Sequence, residues 1–65
     1  MLAKVSSRMT PKQFKAARST LGLTQKQMAE ALGLTIRQIT RLEAGETPVH
    51  KQTELAVKYL MQKSL

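Results

Sequence analysis

Apolar residues fall at helical spacing in four successive stretches of this chain. Phe14, Ala17 and Leu21 recur at i, i+3 and i+7, with Arg18 on the same face. Met28, Ala29 and Leu32 repeat the pattern, and Ile39 and Leu42 repeat it again. The last stretch is apolar on more than one side. Leu55, Ala56, Tyr59 and Leu60 make one stripe, read as inward-facing. Val57, Met61 and Leu65 make a second at i, i+4 and i+8. No segment alternates with period two and the β-branched residues do not cluster, so no strand is expected. The pattern predicts an all-α fold.

Punctuation between the stretches sets the boundaries. Gly22-Leu23-Thr24, Gly33-Leu34-Thr35 and Gly45-Glu46-Thr47 each place a Gly two residues before a Thr. Gly suits the left-handed position just past a helix end, and Thr suits the N-cap of the next helix. Helix 1 is expected to start at the cap Thr10, with Pro11 at its first position and Gln13 completing a capping box, and to end near Leu21. Helix 2 starts at Thr24 with Gln27 as box partner, and helix 3 at Thr35 with Gln38. Helix 4 is expected to start at Thr47 and Pro48 and to run to about Gln62. Such short connections suit a compact four- to five-helix bundle. Residues 1–9, MLAKVSSRM, show no period and contain Lys4 and Arg8. They read as a flexible basic arm, and residues 10–65 as one folded domain.

Charge narrows the class of partner. Eleven Lys and Arg face four acids, Glu30, Glu43, Glu46 and Glu54, for a net charge of +7 in 65 residues. That balance favours a polyanion. Cysteine is absent and His50 is the only histidine, so disulfides, thiolate sites and multi-histidine metal sites are excluded. No nucleophile–base pair or carboxylate pair stands out; no enzyme activity, cofactor, metal or small-molecule ligand is expected. No apolar run approaches the roughly 18 residues of a spanning helix, and a soluble cytoplasmic protein with no membrane partner is expected. Two short helices joined by a tight Gly turn on so basic a chain are the pattern of a helix-turn-helix reader of double-stranded DNA.

Residues 25–42, QKQMAEALGLTIRQITRL, resemble the helix-turn-helix of the lambda-repressor and Cro-like regulators, also called XRE-type. The resemblance rests on apolar Met28, small Ala29, apolar Leu32, Gly33, apolar Leu34, and core Ile39 and Leu42. It extends over about residues 10–60, including the LTQ that opens helix 2 and the LEAG that closes helix 3. A lambda-repressor-like DNA-binding domain is the fold this implies. The placement of two charges agrees. Arg18 lies roughly 40° from Phe14 around helix 1, and Glu43 roughly 40° from Ile39 around helix 3. Two inward charges of opposite sign should meet, because a buried charge without a partner is costly. In the resembled family an Arg and a Glu at these places form a buried pair, so Arg18 and Glu43 are expected to be a structural ion pair.

Helix 3, about residues 35–44, is the expected recognition helix in the major groove. With Ile39 facing the core, Arg37 and Arg41 project on the opposite side at roughly 160° and 200°, with Thr40 at roughly 100° and Ile36 at roughly 60°. Ile36, Arg37, Thr40 and Arg41 are the expected base readers. Arginine suits guanine O6 and N7, and Ile36 is left with thymine-methyl contact or packing. Backbone contacts are expected from Gln25, Lys26, Thr35, Gln38 and Lys51. The N-terminus of helix 2 is an anion site, and the resembled family uses a Gln there to hold the DNA backbone. His50 reads as a surface residue. The second stripe of helix 4, Val57, Met61 and Leu65, suggests a homodimer seam, unless the chain's own tail covers it. Such a dimer would place two recognition helices roughly 34–36 Å apart on an inverted-repeat operator. The expected activity is that of a sequence-specific regulator, a repressor or autorepressor of a small bacterial, phage or plasmid operon. A protein-interaction module that keeps the fold, or a non-specific nucleic-acid binder, are the alternatives.

Overall fold

Three threonines and three glycines bound the first three helices in the computed structural model, which describes residues 9–63. Helix α1 spans Pro11–Leu21, α2 Gln25–Leu32, α3 Ile36–Ala44 and α4 Lys51–Lys63. Thr10, Thr24 and Thr35 each accept a hydrogen bond at the side chain from the main-chain N–H three residues on. Gln13, Gln27 and Gln38 close the boxes by accepting from the cap N–H groups at 2.9–3.0 Å. Each box satisfies main-chain donors that a helix start would otherwise leave to water. At the other ends Gly33 and Gly45 adopt φ of 72° and 81°, a region costly for a residue with a Cβ. The main chain then turns back, with Leu34 N–H donating to the Ala29 carbonyl and Glu46 N–H to the Arg41 carbonyl.

The third Gly-x-Thr does not behave like the other two. Thr47 and Pro48 lie in the α3–α4 connection, and α4 begins only at Lys51. The Glu54 N–H donates to the His50 carbonyl at 2.9 Å, so the first turn closes on His50. Between them Val49 is 2% exposed and enters the core. The connection turns and bends over residues 45–47 and then buries this one side chain before α4 begins. Periodicity could not find Val49, because it sits outside any helix.

The core consists of Phe14, Ala17, Met28, Ala29, Ile39, Leu42, Val49 and Val57, with Leu21, Leu32, Leu60 and Met61 packed at its edge. Helices α2 and α3 pack on one another, α1 packs on α3 and α4, and α4 also touches α2. Ala29, small and 3% exposed, sits where α2 meets the core. Met9 also packs against this cluster, so the fold begins one residue before the expected arm boundary. Residues 1–8, the remainder of that arm, lie outside the described residues, as does Leu65 of the expected seam.

Helix α4 is rotated relative to the sequence expectation. Val57 is fully buried and Met61 packs against the core, whereas Leu55 and Tyr59 are 54% and 62% exposed. Val57 is therefore a core residue and has no surface to offer a second subunit. Val57 and Met61 are one turn apart on one face; Leu55 and Tyr59 lie roughly 160° from Val57. Both stripes are legitimate helical faces, and fit to α1 and α2 decides between them.

One polar cluster joins the first three helices. Arg18 of α1 donates from Nε and Nη2 to the two Glu43 oxygens of α3 at 2.5 and 3.2 Å. Its Nη1 donates to the Leu23 carbonyl in the α1–α2 turn at 3.0 Å. The side chains are 17% and 6% exposed, so the expected pair is present and nearly enclosed. Burial alone would raise the Glu43 carboxyl. The hydrogen bonds from Arg18 and Gln25, and the charges of Arg18 and Lys15, outweigh burial and hold it below its ordinary 4.5. A depressed folded-state value means that the stabilisation is complete above 4.5 and is lost as pH falls through the folded value. Urea midpoints should therefore decline as pH falls below about 4.5. Glu43→Gln should start less stable by about 3 kcal/mol, since Arg18 loses its counter-charge, and should decline less steeply. An equal slope in both proteins would count against Glu43 as the titrating group.

Candidate nucleic-acid interface

The capping box that begins α3 also decides which side chains leave its outer surface. Ile39 and Leu42 are the buried side chains of this helix, and Glu43 turns into the polar cluster. Ile36, Arg37, Thr40 and Arg41 are all exposed. Ile36, at 47% exposure, is a large apolar side chain left largely in water. The Thr40 hydroxyl donates to the Ile36 carbonyl at 3.0 Å, so its proton is already committed to the helix. Arg37 and Arg41 supply the cationic donors of this surface. Among the described residues no carboxylate lies within ion-pair distance of Arg37, whereas the Arg41 Nε is 3.9 Å from Glu46 Oε1. Sequence periodicity gave no sign of this contact, because Glu46 lies beyond the helix end.

The residues expected at the DNA backbone divide by what already holds them. Lys26 and Lys51 are exposed cations in the first turns of α2 and α4. Thr35 and Gln38 are engaged with each other: Gln38 Oε1 accepts from both the Thr35 N–H and its hydroxyl, at 2.9 and 3.3 Å. The Gln38 amide N–H groups take no part in that box. Gln25, half-buried at the first position of α2, donates from Nε2 to Glu43 Oε1 at 3.1 Å. It thus belongs to the Arg18–Glu43 cluster, a role that spacing alone did not reveal. One amide proton and the amide oxygen of Gln25 remain for an outside partner.

An open groove of about 270 Å³ runs beside this surface, bordered by Gln38, Arg41, Pro48, His50 and Thr53. His50 thus borders the outer face of α3 as well as closing the first turn of α4. Among the described residues no group of three or more His, Cys, Asp or Glu is placed to hold a metal ion. No described helix is long and apolar enough to cross a membrane.

The free N-terminal N–H groups of α2, the Gln25 amide and Lys26 converge on one end of that helix, and α3 presents two arginines nearby in the fold. Anion contact at the first and planar, bidentate hydrogen bonding at the second are the chemistries this arrangement can perform. A family model described as a helix-turn-helix domain matches residues 12–60. Comparison with curated proteins finds no match.

The Gln25–Glu43 bond has a measurable consequence. Removing Gln25 should cost stability only while Glu43 is present to accept from it. A double-mutant cycle of Gln25→Ala and Glu43→Ala, which removes donor and acceptor in turn, should give a coupling of about 0.5–3 kcal/mol in urea denaturation. Strict additivity would show that the bond contributes nothing to the fold.

Proposed function

The chain belongs to the helix-turn-helix domain family, and from that premise we propose that it is a sequence-specific double-stranded DNA-binding regulator that acts as a repressor. Arg37 and Arg41 on the exposed face of α3 are the observation that carries this reading. They stand in the major groove and read base edges, with guanine O6 and N7 as their best partners. Ile36 contacts a thymine methyl, and Thr40 fills the space between by its methyl and hydroxyl. The N-terminus of α2, with Gln25 and Lys26, sits on a phosphate, and Lys51 and the Gln38 amide flank the backbone. A net charge of +7 supplies the long-range attraction.

The outer face of α3 also speaks against a fold retained only for protein contact. Two outward arginines at this spacing suit the edges of guanine, which a protein-contact module would not need to match. Repression follows from occupancy: a protein covering promoter DNA excludes polymerase, and an operator upstream of its own gene would make it an autorepressor in a small operon.

Two copies on an inverted repeat fit this mode of reading. With Val57 in the core, the large exposed apolar side chains on α4 among the described residues are Leu55 and Tyr59. Two half-exposed side chains fall well short of the roughly 800 Å² per partner of a stable complex. This patch is the proposed contact between two copies bound side by side on DNA.

Arg37→Ala should weaken binding to a selected duplex by about tenfold or more and leave a scrambled duplex far less affected. Lys26→Ala should weaken both equally and lower the log–log salt slope by about 1. Equal losses for Arg37→Ala on both duplexes, in fluorescence anisotropy across salt, would make Arg37 a phosphate contact. Tyr59→Glu should abolish cooperativity on a two-half-site duplex while leaving single-half-site affinity unchanged. Undiminished cooperativity in gel-shift titrations would remove this face as the contact.

A further inference from the structure

Arg41 and Glu46 are joined twice. The Glu46 N–H donates to the Arg41 carbonyl at 3.0 Å as part of the turn that ends α3. Their side chains then meet, Arg41 Nε to Glu46 Oε1 at 3.9 Å. The first contact matters for the second. Glu46 follows Gly45, whose left-handed φ of 81° turns the chain back, so the Glu46 main chain is placed beside Arg41 and its carboxylate is within reach of the guanidinium. The other carboxylates are placed elsewhere: Glu43 in the inward cluster, Glu54 against Lys58 at 3.2 Å, and Glu30 on α2. On a chain with eleven Lys and Arg, one of four acids thus stands beside an arginine of the outer α3 face.

A carboxylate there opposes DNA phosphates, so general attraction is reduced. What it offers in return is orientation. A guanidinium has five N–H donors in a rigid plane. The Glu46 carboxylate lies 3.9 Å from Nε, beyond hydrogen-bond distance, and biases the guanidinium by charge, while the two terminal NH₂ groups donate no hydrogen bond to a described residue. Those two groups form the fork that matches guanine O6 and N7. An unrestrained arginine of this length could instead swing to the nearest phosphate and contribute affinity with no base preference.

We propose that Glu46 is a positioning residue that holds Arg41 in its base-reading orientation, trading general DNA affinity for discrimination at one base pair. This rests on the DNA-reading function proposed above. Arg37, with no carboxylate in range among the described residues, is the internal comparison: its base preference does not depend on Glu46.

The test is selection from a random duplex library with the full chain, run in parallel for wild type, Arg37→Ala, Arg41→Ala and Glu46→Gln. The two alanine variants identify the base pairs read by each arginine. Glu46→Gln should keep the overall motif but lose about tenfold of the preference at the Arg41 base pair, with the Arg37 base pair unaffected. It should also bind a scrambled duplex more tightly and with a steeper salt dependence. Glu46 is exposed, so the thermal melting midpoint should stay at the wild-type value. An unchanged preference at the Arg41 base pair, with affinity raised evenly on every duplex, would overturn the proposal and leave Glu46 as plain surface charge. A motif unaltered by Arg41→Ala would overturn it as well, since there would be no base choice to sharpen. No enriched motif in the wild type would remove the DNA-reading function itself.

Discussion

The Arg18–Glu43 pair is the interaction on which the rest of this small fold depends. It closes a hydrogen-bonded cluster that takes in α1, the α1–α2 turn, the first residue of α2 and the end of α3. Eight side chains make the buried apolar core, and such a core is small for a domain of this size. A nearly enclosed ion pair adds little net stability compared with an apolar replacement, because both charges leave water. Its use here is directional. Apolar packing tolerates sliding, whereas a two-point arginine–carboxylate contact tolerates little. The cluster therefore sets how α3 is held against α1 and α2.

The proposed interface inherits that geometry. Gln25 is both the first residue of the helix expected to meet a phosphate and a donor to Glu43. One carboxylate thus links the end of α3, the proposed reading helix, to the start of α2, the helix proposed to meet a phosphate. The same economy holds at the other end of α3, where a turn that satisfies main-chain groups also delivers Glu46 to Arg41. Helix ends do more here than stop helices: they position charge relative to the one surface that faces outward with two arginines.

Much of this was legible from local pattern, for reasons that can be named. Thr at a cap, Gln three residues later and Gly past the end are contacts within a few residues, and their physics does not wait for the fold. Phe14, Ala17, Met28, Ala29, Ile39 and Leu42 stood at helical spacing with one apolar side each, and one side leaves one way to face. The inward charges Arg18 and Glu43 were legible as a pair because each sat inside an apolar stripe where solitude would be costly. The third Gly-x-Thr misled for the same local reason. Its cap chemistry was available, but the connection runs on past Thr47 to bury Val49, and Thr47 was left without a helix to cap.

Local pattern along the chain was enough for the ends of the first three helices, the inward pair, and the side of α3 that shows Arg37 and Arg41. All of these follow from chain periodicity and from bonds spanning a few residues. Only the tertiary structure decided which stripe of α4 is buried. Leu55 with Tyr59 and Val57 with Met61 are equally helical faces, and the choice depends on the shape of the space left by α1 and α2, which no local rule contains. Tertiary structure also brought Gln25 to Glu43 across eighteen residues. The pairing of Arg41 with Glu46 likewise needed the left-handed turn at Gly45 to be built before two residues on either side of a helix end could meet.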